Sequence, residues 1–338
     1  MRKQSWRNLL VGTAAVVGVL VAGAVVPQAA KAETILLASG LSAPFLQYPM
    51  SVDGGFMEKH GIDAEYKMFP SGFEATVAVG AGEAHVANTD CPTVLKAKAN
   101  GANFLLVARN VLNPKELKLA VAEGIQGPED LKGKKVGVLK TSSVDWYASK
   151  YFNAFGLEEG SGPDQVETIN IAAPEWIPAL QRGDIVGFFG WEPWLAKVVE
   201  IVDGAHIIHR ASDNNLYVLN NCLVFNTDWV QQDPETAKKV MAAWIETHDA
   251  MMADLPKAVA LASGPMRIPE DELMGMTDGF IYRVEFTQDF LDHVTEAAVW
   301  LESKDLLEPG QGEQIIQELA YPDLLRSVAP ERVDVQRQ

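Results

Sequence analysis

Residues 183–194, GDIVGFFGWEPW, form the stretch on which the prediction of the fold depends. Its first two residues are typical of a turn, and the apolar, β-prone run 185–189 predicts a strand buried on both faces. Gly190 ends that strand, and two indoles and a carboxylate follow directly: Trp191, Glu192 and Trp194. Ligands of open α/β proteins bind outside the carboxyl ends of strands, so this stretch predicts one edge of a ligand cleft. The alternative is that both tryptophans pack in the core, as most indoles do.

Short strand-like runs alternate with helical segments before this stretch. One series of runs lies at 34–38, 62–69, 84–88 and 103–109, and a second at 117–122, 135–139, 166–171 and 185–189. This alternation is typical of parallel sheets with helices on both faces. Residues 216–225 are apolar and extended, and from residue 228 onward the periodicity is helical. The chain becomes polar after Tyr321, which predicts a loosely held tail.

The length and the first residues of the chain indicate an exported protein of two lobes. A chain of 338 residues is long for a single core. Residues 1–32 combine a basic start, an apolar run and the small-x-small sequence Ala30-Lys31-Ala32, which is typical of a secretory signal peptide and predicts a periplasmic protein. Because the apolar run is long, an uncleaved anchor is the alternative.

The charge and the motif content exclude several classes of partner. The chain carries 28 Lys and Arg against 45 Asp and Glu, a formal net charge of −17, so nucleic acid is excluded as a partner. The six histidines show no spacing typical of a metal site, and no glycine-rich phosphate loop is present. We therefore predict neither a metal nor a cofactor.

The two cysteines, Cys91 and Cys222, could pair in an exported protein. Each lies in its own apolar, strand-like run, and free cysteine is a common small core residue. We predict that they are unpaired.

Five motifs carry a resemblance to a known family: GGFMEKHGIDAEYKMFPSG (54–72), GEAHVANTDCP (82–92), GIQGPEDLKGKKVGV (124–138), TSS (141–143) and QRGDIVGFFGWEPW (181–194). They resemble the taurine, aliphatic sulfonate and nitrate group of periplasmic substrate-binding proteins, which serve ABC importers. The resemblance implies the type II periplasmic binding fold, with two doubly wound α/β lobes joined by two crossing strands. Lobe one would comprise 33–118 plus 222–338, and lobe two 119–221. It also implies a monomer that encloses a small ligand by hinge closure and delivers it to an ABC permease in the inner membrane.

The resemblance places the ligand where four loops meet, with two further residues near them. The twelve candidate residues are Ser42, Phe45, Asn88, Thr89, Asp90, Thr141, Ser142, Ser143, Trp176, Trp191, Glu192 and Asn221. The run 141–143 lies between a strand and a helix start, where hydroxyls and free helix N–H groups can bind an anion. The same residues could also serve as a plain helix cap. In the family, oxyanion contacts occur at this position.

The candidate residues leave the charge of the ligand open between two possibilities. Asp90 and Glu192 would repel a bare anion such as nitrate, whereas a zwitterion such as taurine offers an ammonium to them and a sulfonate to 141–143. Asp90 stands where the taurine-binding pattern usually has glycine or serine. Asn221 stands near the position on the return strand where that pattern has an acidic residue. The alternative is a quaternary or methylated amine, such as betaine or choline, held between indoles and an acid.

An enzyme is the remaining alternative. The fold resembles that of a few enzymes, including a desulfinase with a cysteine nucleophile, and Cys91 lies in a predicted cleft loop. A reactive thiolate needs a histidine or positive surroundings, whereas the neighbouring Asp90 would raise the pKa of the thiol. We therefore predict a binding protein without a catalytic step.

Overall fold

The computed structural model describes residues 33–335, so the predicted signal peptide at 1–32 lies outside the described residues. Over this range the chain forms two sheets of six strands each. The first sheet contains β1 (Ile35–Ser39), β2 (Ala64–Met68), β3 (Val86–Asp90), β4 (Phe104–Asn113), β11 (Leu219–Asn226) and β12 (Ile281–Glu285). The second contains β5 (Lys118–Val121), β6 (Lys135–Val138), β7 (Glu158–Glu159), β8 (Gln165–Asn170), β9 (Gly187–Gly190) and β10 (His206–Arg210).

Helices alternate with these strands and then make up most of the C-terminal region. They are α1 (Gln47–Asp53), α2 (Phe56–Lys59), α3 (Gly72–Gly80), α4 (Cys91–Ala99), α5 (Ser143–Ala154), α6 (Trp176–Arg182), α7 (Trp194–Ile201), α8 (Thr227–Gln232), α9 (Pro234–Ala253), α10 (Leu255–Met266), α11 (Glu270–Gly275), α12 (Gln288–Ser303), α13 (Gln311–Leu319) and α14 (Pro322–Val328). No helix within 33–335 has both the length and the apolar character that a membrane span requires.

The strand order of both sheets departs from the simple parallel sheets that the alternation predicts. The first sheet runs β12-β4-β11-β3-β1-β2 and the second β10-β5-β9-β6-β8-β7. Strands β1, β2 and β3 are parallel, as are β6, β8 and β9, in agreement with the prediction. The expectation is wrong for the other pairings, because β11 inserts antiparallel between β3 and β4, and β5 pairs antiparallel with β9.

The chain passes between the sheets twice. Residues 114–117 connect β4 to β5, and residues 211–218 connect β10 to β11. Strands from the first and last parts of the chain thus form one sheet, and the middle part forms the other. The lobe boundaries at 118/119 and 221/222 stay predictions.

The insertion of β11 also brings the two cysteines together. Cys91 begins α4 directly after β3, and Cys222 lies in β11, which pairs with β3. Their Cα atoms are 5.4 Å apart and the two residues form a disulfide across 131 positions of sequence. The prediction of unpaired cysteines is wrong, because a local apolar setting says nothing about which distant strand lies alongside.

The polar C-terminal segment is folded onto the rest of the protein. It forms α14, in which Leu324 and Leu325 are buried. Beyond it, the Arg332 guanidinium forms an ion pair with Asp249 of α9 at 2.9 Å. The expectation of a loose tail is wrong, because the two buried leucines and the Arg332 ion pair attach this segment to the rest of the protein.

Candidate functional site

A cavity of about 360 Å³ lies where the carboxyl ends of the parallel strands of both sheets converge. Seven of the twelve candidate residues line it: Ser42, Phe45, Thr89, Asp90, Ser143, Trp191 and Asn221. They follow β1, β6 and β9, end β3, or lie in β11 beside β3. The cleft loops that the sequence predicts therefore meet at one place. The other five candidates lie elsewhere: Asn88, Thr141, Ser142, Trp176 and Glu192.

The indoles around β9 divide between the cavity and the core. Trp191 is half-buried and lines the cavity. Trp176 is fully buried, stacks on Phe188 with ring centroids 5.1 Å apart, and donates from Nε1 to the Ile171 carbonyl at 3.0 Å. A Cβ at Gly190 would lie 2.9 Å from the Trp176 ring, so the glycine at the strand end is needed for this packing. Trp176 instead supports Trp191, which it meets edge to face at 4.8 Å.

Asp90 lies at the junction of the two lobes. Its carboxylate caps α4, where Oδ1 accepts from the Thr93 N–H at 3.1 Å and Oδ2 from the Thr93 hydroxyl at 3.0 Å. Oδ1 also accepts from the Ser143 N–H, at the first residue of α5, at 3.1 Å. Burial outweighs these hydrogen bonds and raises the pKa of Asp90 to about 6, so the group is mostly ionised at pH 7.

The helix start that was expected to bind an anion is thus occupied by a carboxylate of the protein. Ser142 donates its hydroxyl to the Leu139 carbonyl at 2.6 Å, and the Thr141 N–H donates to Asp145 at 3.0 Å. Neither residue lines the cavity, because both close the turn into α5. Ser143 lines it, but its N–H is engaged by Asp90. This arrangement favours a positive rather than a negative group of a ligand beside Asp90.

Glu192 does not line the cavity, because neighbouring groups of the protein bind both of its carboxylate oxygens. One carboxylate oxygen forms an ion pair with Lys118 of the adjacent strand at 2.7 Å, and the other accepts from the Ala196 N–H of α7 at 2.9 Å. Glu116, in the connection 114–117, takes a place in the cavity wall instead. Burial, and secondarily the Glu192 charge, raise the pKa of Glu116 to about 8. Glu116 is therefore mostly protonated at pH 7.

Asn88 lies in β3 of the first sheet, and its side chain is in the core. Its Oδ1 accepts from the Tyr48 hydroxyl at 2.7 Å and from Gln47 Nε2 at 3.3 Å. It is fully buried, one residue before the cavity-lining Thr89. Successive side chains of a strand point to opposite faces, so neighbouring polar residues of β3 need not share an environment.

Sequence reasoning missed several residues of the cavity wall. They include Ser71, Gly72, Phe73, Glu116, Lys197 and Arg267, whereas Trp194 belongs to the stretch that predicts the cleft edge. The loop before α3 could have been found, since it follows the carboxyl end of β2 just as the Asp90 loop follows β3. Arg267 had no such signal, because it lies in a turn between two C-terminal helices.

The wall of the cavity is largely apolar and includes four aromatic side chains. Phe45, Phe73, Trp191 and Trp194 line it, together with several prolines. Phe73 is 43% exposed, whereas Phe45 is buried. The Lys197 ammonium lies 5.6 Å from the centroid of the Trp194 ring. An apolar body with a few placed polar groups is the usual composition of a small-molecule site.

The chemistry of catalysis by cysteine is missing from this cavity. Cys91 is fully buried, does not line the cavity, and is bound to Cys222. It therefore offers no thiolate to a substrate. Over residues 33–335, no cluster of His, Cys, Asp and Glu is arranged to hold a metal ion.

Solved structures with a similar fold include periplasmic binding proteins. The aliphatic sulphonate binding protein SsuA from Escherichia coli covers 82% of this chain and 89% of its own, with a TM-score of 0.67 and 17% identity. The nitrate-binding protein NrtA from Synechocystis PCC 6803 covers 88% of both chains, with a TM-score of 0.71 and 15% identity. These likenesses confirm the predicted type II periplasmic binding fold.

The sequence comparisons agree with the fold. The taurine-binding periplasmic protein of Escherichia coli (strain K12) is 24% identical over 241 residues, which are 68% of this chain and 72% of that protein. The family model described as NMT1/THI5 like matches residues 45–258, more than half of the chain. The protein belongs to the NMT1/THI5-like family.

Proposed function

We propose that the protein is the periplasmic solute-binding component of an ABC importer and that it binds a small zwitterion in the cleft between its lobes. The proposal rests on Asp90, whose ionised carboxylate lines the cavity and joins α4 of one lobe to α5 of the other. Among residues 33–335, no basic side chain forms an ion pair with it. A cationic group of a ligand would supply the missing charge.

The names of the relatives support this class of function. Proteins named for binding taurine, aliphatic sulphonate and nitrate share its fold or sequence. The carboxylate at the cavity argues against a bare anion such as nitrate, since two like charges at short range in a buried site repel strongly. A zwitterion carries an acidic group, as the ligands in the relatives' names do, and also a cationic group that can pair with Asp90.

A quaternary or methylated amine is the second candidate. Trp191 and Trp194 line the same cavity as Asp90, and indole faces with a nearby carboxylate hold such cations. This candidate needs no acidic group on the ligand, which separates it from the first.

A thermal-shift screen of the purified protein tests both candidates. The ligands are taurine, alkanesulfonates, nitrate, betaine, choline and aromatic acids. A ligand at a hundred times its dissociation constant adds about 2.7 kcal/mol of stability. A shift with taurine or another zwitterion supports the proposal, and a shift with choline alone supports the second candidate.

Matched variants connect any shift to the cavity. Asp90→Asn removes the charge but keeps the shape, and it should weaken a cationic or zwitterionic ligand about tenfold or more. Asp184→Asn, on an exposed turn, is the control and should change nothing. Equal affinities of the wild type and Asp90→Asn would contradict the assignment of this carboxylate.

A further inference from the structure

The cavity is lined by two acidic and two basic side chains that differ in burial. Of its ionisable lining residues, Asp90 is half-buried and Glu116 is almost fully buried, whereas Lys197 is half-buried and Arg267 is exposed. The most buried of the four is the carboxyl group of Glu116, and the exposed guanidinium of Arg267 lies at the rim of the cavity.

Arg267 is held at the rim by an ordered turn. Its backbone adopts the left-handed conformation, with φ 56, at the end of α10, where glycine is the usual residue. The Arg267 N–H donates to the Gly264 carbonyl at 3.1 Å, and the next residue, Ile268, donates to the Ser263 carbonyl at 3.2 Å. The flanking Met266 and Ile268 are buried and line the same cavity. The turn is thus fixed on both sides of the arginine.

The charge of this arginine is uncompensated within the protein. Over the described range 33–335, no carboxylate forms an ion pair with Arg267, although 17 Arg or Lys pairs with acids hold other basic groups in place elsewhere. Lys197 of α7 likewise has no acidic partner in this range, and its ammonium faces the ring of Trp194. Two basic groups without counter-charges line one cavity.

The two basic residues come from different lobes. Arg267 follows α10, which packs on α1 and α9 beside the first sheet, and Lys197 lies on α7, which packs on β5 and β10 of the second. An acidic group bound by both would join the lobes, as the hydrogen bond from the Ser143 N–H to Asp90 does. A ligand that does so is bound more tightly by the closed cleft than by an open one.

We propose that Arg267 and Lys197 bind the acidic end of the ligand, that Asp90 receives its ammonium end, and that the ligand is an amphoteric solute with an aromatic or bulky apolar body. This proposal rests on the proposed function and refines its substrate class. The ammonium end stays at Asp90, as the sequence predicts, whereas the acidic end lies at Arg267 and Lys197 and not at residues 141–143. The cavity volume of about 360 Å³ exceeds what a solute as small as taurine would fill, and its four aromatic side chains would be left without an apolar contact.

A set of three matched probes measures each end separately by titration calorimetry of the purified protein. The amphoteric probe is para-(aminoethyl)benzenesulfonate, phenethylamine lacks its acid, and para-ethylbenzenesulfonate lacks its amine. The wild type should bind the first at least about tenfold more tightly than either of the others. Taurine should bind more weakly than the amphoteric probe, because it lacks the ring.

Variants of the rim decide the assignment of the acidic end. Arg267→Gln and Lys197→Gln should each weaken the two sulfonates about fivefold to tenfold and leave phenethylamine unchanged. Arg210→Gln is the matched control, because Arg210 is also an exposed arginine but does not line this cavity. Its affinities should equal those of the wild type.

The opposite results separate this inference from the proposed function. If phenethylamine or choline binds at least as tightly as the amphoteric probe, or if Arg267→Gln weakens all three probes equally, the rim assignment is overturned while the receptor function stands. If no probe and no solute of the thermal-shift screen binds, both are overturned.

Discussion

The disulfide gives the sharpest test of the structure, through the double variant Cys91→Ala, Cys222→Ala. The bond closes a loop across 131 positions of sequence. In the chain-entropy treatment, a closure of this length stabilises the folded state by up to about 5 kcal/mol, and native disulfides measured in small proteins contribute roughly 2–5 kcal/mol. Both side chains are fully buried, so their truncation adds a small packing loss.

Urea unfolding of the wild type and the double variant, each with and without a reductant, measures this contribution. The variant should lose roughly 3–5 kcal/mol of unfolding free energy. In the presence of reductant, the disulfide of the wild type is reduced once the protein unfolds, so the stability of the wild type should fall by a similar amount. The stability of the variant should not change. Ligand affinity should stay within about twofold, because neither cysteine lines the cavity.

Two results would refute this reasoning. A wild type that is insensitive to reductant and no more stable than the variant would show that the cysteines are not joined. Loss of ligand binding at unchanged stability would show that Cys91 acts in the site, and would return the cysteine-dependent enzyme to consideration.

Three further predictions concern the cavity and its support. Glu116→Gln should alter the pH dependence of stability. Burial raises the pKa of Glu116 in the folded state to about 8, so the stability contributed by the neutral side chain is fully present below the unfolded pKa and is lost as pH rises through 8. Relative to the wild type, the variant should therefore gain up to about 5 kcal/mol of unfolding free energy at pH 9 and nothing at pH 4. Urea midpoints from pH 4 to 9 measure this, and parallel curves for the two proteins would contradict it. Trp191→Ala should weaken ligand binding about tenfold with a small loss of stability, whereas the buried Trp176→Ala should cost roughly 3–5 kcal/mol of stability; calorimetry with thermal unfolding distinguishes them, and the reverse assignment would place Trp191 in the core. Ser142→Ala should lower the unfolding free energy by about 1 kcal/mol through the lost hydrogen bond to Leu139 and should leave the ligand affinity measured by titration unchanged. A weakened affinity would show that this hydroxyl contacts the ligand.

Much of the fold follows from local pattern. The alternation of strand and helix, the glycine that ends β9, and the long helix at 234–254 are set by side-chain periodicity and backbone conformation, which act over a few residues. The same locality locates the loops after β1, β3 and β9, because the carboxyl ends of parallel strands share one edge of a sheet. Five cavity residues, Ser42, Phe45, Thr89, Asp90 and Trp191, are found in this way.

The tertiary structure alone decides which distant groups meet. Nothing local to β11 indicates that it inserts beside β3, yet this insertion pairs Cys91 with Cys222. Nothing local to Asp90 indicates that its carboxylate takes the start of α5, which reverses the expected polarity of the site. The physical reason is that a hydrogen bond or a disulfide between residues far apart in sequence depends on how whole elements pack, and the residues that make it carry no mark of their partner. Sequence therefore located the cleft, and the packing of the two lobes determined which charges line it.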